Sequence, residues 1–329
     1  MKRLGVGMIG AGGSATTIHL PGYAVNPDVE IVGITSLDRE ASKNHAVKYG
    51  IRHVFDSVDD LLSEPSIEAV SISTPPSTHE PLATQAVKAG KHVLIEKPVA
   101  ISIESLDRIR DLAIGSARVV ELVHNERFMD FSNKAKDLIK SGRLGKIQAV
   151  HQFIGTTGPE AWAPNSAWFR SRSASGGGVL MDLAVHKIDL AGWLLDRRLL
   201  PGATAQFDGD VEDLASIYFM AADSVLLSVT ASWRGPSDEG TLLVIGTDGT
   251  LEGCWTIGQL RLRRGTEILT VETEIPWTDQ DQSPARMIAA FVAACREGRK
   301  IVDSDLMWDA GTRSVLEAYE SRARSPRAT

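Results

Sequence analysis

Apolar and polar positions divide the chain into two stretches with different rhythms. In the first third, short apolar runs at 4–9, 30–35, 69–73, 92–95 and 119–123 predict buried strands. Between them, 39–49, 80–89 and 103–113 predict helices, the middle one closed by Gly90. Strands alternating with helices of this length imply right-handed crossovers and a doubly wound parallel sheet. After residue 124 the rhythm changes. One helix at 132–140, stopped by Gly142, precedes strand-like runs at 147–153, 216–220, 224–233, 241–245, 260–263 and 268–274. Tight turns such as Asp248-Gly249 make that sheet antiparallel. Ser283-Pro284 opens a helix to Arg296, and 303–322 is the last one. The expected architecture is α/β. A Rossmann domain over 1–124 precedes an α/β domain over 125–329 with a mostly antiparallel open sheet.

Composition narrows the setting. The 329 residues suffice for two domains, and 43% hydrophobic with 23% charged content is ordinary for a soluble globular protein. A formal net charge of -7 argues against nucleic acid or an anionic membrane as partner. The basic tail 322–327 is expected to fray. Cys254 and Cys295 are too few for a disulfide framework, which fits a reducing, cytoplasmic setting. Lys2-Arg3 could begin a signal peptide, but the apolar run after it breaks at Gly10. No run approaches the length of a membrane helix.

Candidate chemistry concentrates at the carboxyl ends of the first-domain strands, where open α/β sheets bind ligands. The first strand runs into Gly10-Ala11-Gly12-Gly13-Ser14-Ala15, a GxGxxA fingerprint between strand and helix. Gly10 permits the tight turn, Gly12 lets a pyrophosphate approach the backbone, and Ala15 lets helix and strand pack closely; Gly13 and Ser14 open the helix whose N-terminus would take the phosphate. At the end of the second strand, Ser36 stands where an acid would hold the ribose of NAD, with Asp38 and Arg39 following. A hydroxyl beside an arginine suits the 2′-phosphate of NADP, while Asp38 could serve NAD or cap the helix after it. NADP is the favoured cofactor. Thr74-Pro75 and His79 follow the third apolar run and would lie over the cofactor. The fourth ends in Glu96-Lys97-Pro98, charge placed where a buried strand emerges.

In the second part, Gly176-Gly177-Gly178 leads into Val179-Leu180-Met181-Asp182-Leu183-Ala184-Val185-His186-Lys187-Ile188-Asp189. Asp182 and His186 share a helix face, with Asp189 a turn further on. The glycines imply a close approach to the backbone. Histidine and carboxylate alone under-ligate a metal, so none is expected. Trp162, Trp168 and Trp233 could stack on sugar rings or fill the core.

GAGGSA, STPPSTHEPLATQAVKAGKHVLIEKP, SGRLGKI and GGGVLMDLAVHKIDL, in this order and spacing, resemble the Gfo/Idh/MocA family of glucose-fructose oxidoreductase and inositol dehydrogenase over nearly the whole chain. The resemblance implies a Rossmann domain and a second domain whose open sheet makes homodimer or homotetramer contacts. It implies a catalytic set carried here by Lys97, Asp182 and His186, with Glu96 as a ribose contact and Pro98 a cis proline. It also implies hydride transfer between NADP or NAD and a sugar, cyclitol or sugar derivative. A glycoside hydrolase that retains its NAD, or a non-catalytic dinucleotide sensor, are the alternatives. Arg127, with Asn125 near it, resembles a family arginine. The family's Trp-Arg cofactor contact is altered: Trp168 matches, Phe169 replaces the arginine, and Arg170 is displaced by one.

Overall fold

The computed structural model describes residues 2–298, apart from 165, 208 and 280, and residues 309–324. It resolves into two compact units. The first runs to Val123 and resumes at Pro284; the second runs from His124 to Ser283 and includes the last helix.

The first unit is built on six parallel strands: β1 (Leu4–Ile9), β2 (Val29–Thr35), β3 (His53–Val54), β4 (Ala69–Ile72), β5 (His92–Ile95) and β6 (Val120–Leu122). Their order is β3-β2-β1-β4-β5-β6, the doubly wound Rossmann order. The order reverses between β1 and β4, so the carboxyl ends of those strands flank the ligand crevice. Connecting helices are α1 (Leu20–Ala24), α2 (Arg39–Tyr49), α3 (Val58–Ser63), α4 (His79–Lys88) and α5 (Ile103–Gly115). Their starts follow capping chemistry: Asp38 accepts from the Ala41 amide, Ser57 from Asp60 and Ser102 from Ser105. The core is the apolar run of each strand, with Val6, Met8, Ile34, Ile72 and Ile95 fully buried. β3 and α3 were not expected from the apolar pattern.

In the second unit, α6 (Asp130–Lys140) precedes β7 (Ile147–Gly155), followed by the short α7 (Arg172–Ser175) and by α8 (Val185–Leu195). Then come β8 (Thr204–Phe207), β9 (Leu214–Ala221), β10 (Val225–Ser232), β11 (Glu239–Gly246), β12 (Thr250–Cys254), β13 (Gln259–Arg264) and β14 (Glu267–Glu272). The sheet order is β14-β13-β12-β11-β7-β10-β9-β8. All pairings are antiparallel except β7 with β10 at the centre, a departure from the expected tight-turn pattern. The cause is the crossover through α8. It sets β8 parallel to β7, and the hairpins β8-β9-β10 then bring β10 back beside β7 in the same sense.

One face of this sheet is covered by helices. Gln152 on β7 donates to the Lys187 carbonyl of α8 at 2.6 Å, and the Phe131 ring of α6 stands over Gly253 of β12. The other face is open: Tyr218 (47% exposed), Met220 (44%) and Leu226 (58%) lie on it, with Leu226 directly opposite Met220 across the β9–β10 ladder.

Two later helices follow among the described residues. α9 (Ser283–Glu297) lies within the 125–329 stretch yet packs with the first unit. Gly22 on α1 makes room for it: a Cβ there would stand 2.7 Å from Ile288 and 2.9 Å from the Pro284 carbonyl. Arg296 ties α9 to Asp28 at 3.2 Å. The last helix, α10 (Ala310–Arg324), belongs to the second unit. The expected start of that helix at 303–308, and most of the basic tail, lie outside the described residues.

Candidate active site

In the first unit, the fingerprint turn shows why each glycine is there. Gly10 has φ 106°, and a Cβ on it would lie 2.1 Å from the Ser73 carbonyl at the end of β4, so the fold itself requires glycine. At Gly12 a Cβ would meet nothing within 4 Å, which leaves open the approach that a pyrophosphate needs. Gly13 and Ser14 begin the helix, which continues as a widened π turn over Ala15–His19 into α1. Ala15 is fully buried against the sheet. The Thr16 and Thr17 hydroxyls donate back to the Gly12 and Gly13 carbonyls at 2.9 and 3.0 Å, fixing the first turn. An open backbone edge at a helix start beside the switch point of a parallel sheet fits a dinucleotide phosphate.

At the end of β2, Ser36 Oγ accepts the Asp38 amide at 3.2 Å, while the Asp38 carboxylate caps α2. Arg39 is exposed and pairs with exposed Asp56. Leu37 between them is fully exposed. Thr74 shares a hydroxyl bond of 2.7 Å with Thr78, so Thr74-Pro75 is a braced turn.

His79 is fully buried and works from underneath. Its Nδ1 lies 3.0 Å from the Pro98 carbonyl and its Nε2 2.8 Å from the Thr74 carbonyl, so one ring joins the loops after β4 and β5. Burial holds its pKa below the ordinary histidine value against the pull of those carbonyls and of Glu96. The Lys97–Pro98 peptide is cis.

Glu96 is 4% exposed and accepts from the wholly buried His19, Nε2 to Oε1 at 2.9 Å. Its other oxygen accepts the Lys97 amide at 3.1 Å. Burial alone would raise the Glu96 carboxyl. The His19 hydrogen bond, with the charges of His19, Lys97 and His79, outweighs it and holds the group below the usual carboxylate range. Lys97 itself is half-buried.

In the second unit, the triple glycine opens the helix that carries the expected proton chemistry. A π turn, Leu180–Ala184, leads into α8, with Asp182 in the turn and His186 in the helix. Asp182 is buried, and the Trp233 indole Nε1 donates to its Oδ2 at 3.0 Å. His186 is half-buried. Asp189, expected on the same face, is taken by a different partnership. Arg127 donates to both its oxygens, the Nε–Oδ2 bond measuring 2.8 Å, and His124 Nδ1 lies 3.3 Å from Oδ2. Next to this pair, buried Lys187 donates to both oxygens of buried Glu126 at 2.8 Å.

The aromatic residues form one packed group. Trp168 stacks on Phe169 with ring centres 3.9 Å apart, while Trp162 and Trp233 meet Phe169 edge-on at 6.2 and 6.4 Å. Phe169 is therefore the centre of a cluster that buttresses the indole bound to Asp182. Arg170 makes a bidentate pair with Glu160 at 3.0 and 3.2 Å and lies 4.9 Å above the Trp233 ring.

Each unit thus gathers part of the expected set. Gly10, Gly12, Gly13, Ser14, Ala15, Ser36, Asp38, Arg39, Thr74, Pro75, His79, Glu96 and Lys97 belong to the first unit, and Arg127, Trp168, Arg170, Asp182 and His186 to the second. His19 was missed. It follows the fingerprint by four residues and could have been found as a histidine flanked by the apolar Ile18 and Leu20. Among the described residues, no cluster of metal-ligating side chains occurs.

Both units match known proteins. Residues 4–124 match the model of an oxidoreductase family with an NAD-binding Rossmann fold, and residues 132–252 match the Gfo/Idh/MocA C-terminal domain. The chain belongs to the Gfo/Idh/MocA family. Among relatives of this family member, an uncharacterised oxidoreductase of Rhizobium meliloti is 26% identical over 96% of each chain. The dTDP-3,4-didehydro-2,6-dideoxy-alpha-D-glucose 3-reductase of Streptomyces violaceoruber is 28% identical over 90% of this chain and 86% of its own. Among solved structures, GenD2 from gentamicin A biosynthesis, in complex with NAD, superposes with a TM-score of 0.83 at 26% identity, covering 98% of this chain and 95% of that one.

Proposed function

We propose that this protein moves a hydride between a nicotinamide cofactor and a secondary alcohol or carbonyl carbon of a sugar, cyclitol or sugar derivative, with NADP preferred over NAD. The observation that carries the reading is the open approach to Gly12 at the switch point of the parallel sheet, in a chain matched by both domain models of an oxidoreductase family. Relatives named as a dTDP-dideoxyglucose 3-reductase, a 1,5-anhydro-D-fructose reductase and a glucose-6-phosphate 3-dehydrogenase support the sugar class, while another is named for a dihydroxylated cyclohexadiene carboxylate.

The nicotinamide, when bound, takes up or delivers the hydride; the protein must handle the proton and the charge on oxygen. His186 exchanges the hydroxyl proton, as an imidazole does near neutral pH. Lys97 offers a cation to the developing alkoxide. Asp182, held by Trp233, orients a substrate hydroxyl or the imidazole. Glu96, kept ionised by His19, receives a ribose hydroxyl. The NADP preference is supported by Ser36 in place of an acid and by Arg39. Its exposed pair with Asp56 is the kind that contributes little and is readily exchanged for a phosphate.

A panel of polyols and aldoses with NAD and NADP tests this directly. Turnover that Lys97→Ala abolishes is the expected result, and no turnover across the panel overturns the reading. Titration with NADH and NADPH checks the cofactor choice, tighter NADH binding reversing it.

Two further expectations accompany this reading. The open face bearing Tyr218, Met220 and Leu226 is proposed to pair with a second copy, since a contiguous apolar face of this kind marks an interaction site. The free thiols of Cys254 and Cys295 support a cytoplasmic setting. No helix of the described residues is long and apolar enough to cross a membrane.

A further inference from the structure

Two of the glycines before Asp182 are confined by the protein itself, one by a side chain and one by backbone. A Cβ on Gly177 would stand 2.2 Å from the Tyr319 hydroxyl, and one on Gly178 2.0 Å from the Glu212 carbonyl. Both neighbours grip the start of the helix. Glu212 Oε2 accepts the Gly178 amide at 3.2 Å, its backbone carbonyl accepts Val179 at 2.7 Å, and its Oε1 accepts Leu180 at 3.0 Å. One residue therefore takes three successive amides that a helix start leaves without intrahelical partners. From α10, the Tyr319 hydroxyl donates to the same Oε1 at 2.6 Å. The proton stays on Tyr319, because burial and the neighbouring Glu212 charge both raise the phenol. Phe207 packs edge-on against the Tyr319 ring at 5.3 Å, and the Arg172 guanidinium lies 4.7 Å above it.

The same segment reaches Asp182 from its other side. The carbonyl of Asp213, next to Glu212, accepts the Trp233 amide at 2.7 Å, and the Trp233 indole donates to Asp182 at 3.0 Å. The contacts close a loop from the helix start through Glu212, Asp213 and Trp233 back to Asp182.

We propose that Glu212, braced by Tyr319, is a positioning residue that sets the pitch and depth of the helix carrying Asp182 and His186, and that Gly177 and Gly178 are glycines to admit this clamp. The catalytic half of the proposal rests on the oxidoreductase reading; the clamp itself does not.

The experiment uses the full-length protein. Hydrogen–deuterium exchange is followed for peptides spanning 176–186 in Glu212→Gln and Tyr319→Phe, with peptides of β1 and β4 as internal reference. A carboxylate serving two amides should protect that segment, so Glu212→Gln is expected to speed its exchange about tenfold and Tyr319→Phe severalfold, the reference peptides staying as in wild type. In steady state, kcat is expected to fall about tenfold with KM for the dinucleotide unchanged, a split that a general loss of fold would not produce. Should Glu212→Gln fail to fold, Tyr319→Phe carries the test. Unchanged exchange at 176–186 in both variants overturns the proposal, as does equal acceleration everywhere in Tyr319→Phe. Exchange needs no substrate, so a wild-type protein that turns over nothing overturns the functional reading and leaves exchange to decide the clamp.

Discussion

The indole of Trp233 donates a hydrogen bond of 3.0 Å to the buried carboxylate of Asp182, across 51 residues of sequence. A tryptophan that reads as core or as a sugar platform is a partner of the carboxylate expected to do chemistry. Trp233→Phe keeps the ring against Phe169 and removes this N–H. Losing a charge-assisted bond of this kind costs about 1.5–3 kcal/mol. Thermal unfolding should show that loss, and kcat in the sugar assay should fall at least tenfold. An unchanged kcat would separate Trp233 from the chemistry.

The two fingerprint glycines should fail differently. Gly10→Ala forces a side chain into the left-handed region and onto the Ser73 carbonyl, so it should cost at least 1–3 kcal/mol of stability. Gly12→Ala meets open space, so urea unfolding should scarcely change while dinucleotide affinity drops. Calorimetric titration alongside unfolding distinguishes the two, and equal loss of stability would remove the cofactor reading of Gly12.

Glu96 sets a pH dependence with a definite sign. Its carboxyl, against burial, is held below its ordinary value of 4.5 by the His19 bond and nearby positive charge. A group whose folded pKa is lowered contributes stability above its unfolded value and loses it as pH falls through the folded value. Urea unfolding between pH 3 and 7 should therefore show a shallower acid-side decline in Glu96→Gln than in wild type. Equal slopes would contradict the His19–Glu96 pairing.

The buried Lys187–Glu126 pair behind α8 should be costly to halve and cheap to replace. Lys187→Met takes the charged partner from the buried Glu126 carboxyl, a loss of about 3–5 kcal/mol by unfolding. Adding Glu126→Leu should recover most of it.

Leu226→Glu places a charge on the open sheet face opposite Met220. If that face joins two copies, sedimentation at micromolar concentration should show the mass halve with circular dichroism unchanged. An unaltered mass assigns the contact elsewhere.

Much of this architecture was legible in the sequence because burial on both sides leaves a plain mark. β1 and β5 end where their apolar runs end, and α2 begins where Asp38 can cap it. β3 escaped notice because two residues carry no pattern, and β8 because a short, half-exposed edge strand has no buried face to alternate. The candidate residues could be proposed where motifs are local, at Gly10 to Ala15, at Glu96-Lys97 and at Asp182 to His186. Their supports could not. His19 and Glu96 are 77 residues apart, and Glu212 sits in an acidic stretch that reads as a solvated loop. Pairings of that length are made by tertiary packing alone, which leaves no periodicity to follow.

The return of α9 to the first unit, fitted against the bare backbone of Gly22, bears on how the protein is made. A ribosome releases the chain from its N-terminus, and domains ordinarily fold as they emerge. Here the nucleotide-binding unit waits for its last helix until all of residues 124–283 have been synthesised. Its completion is thus a late event in translation.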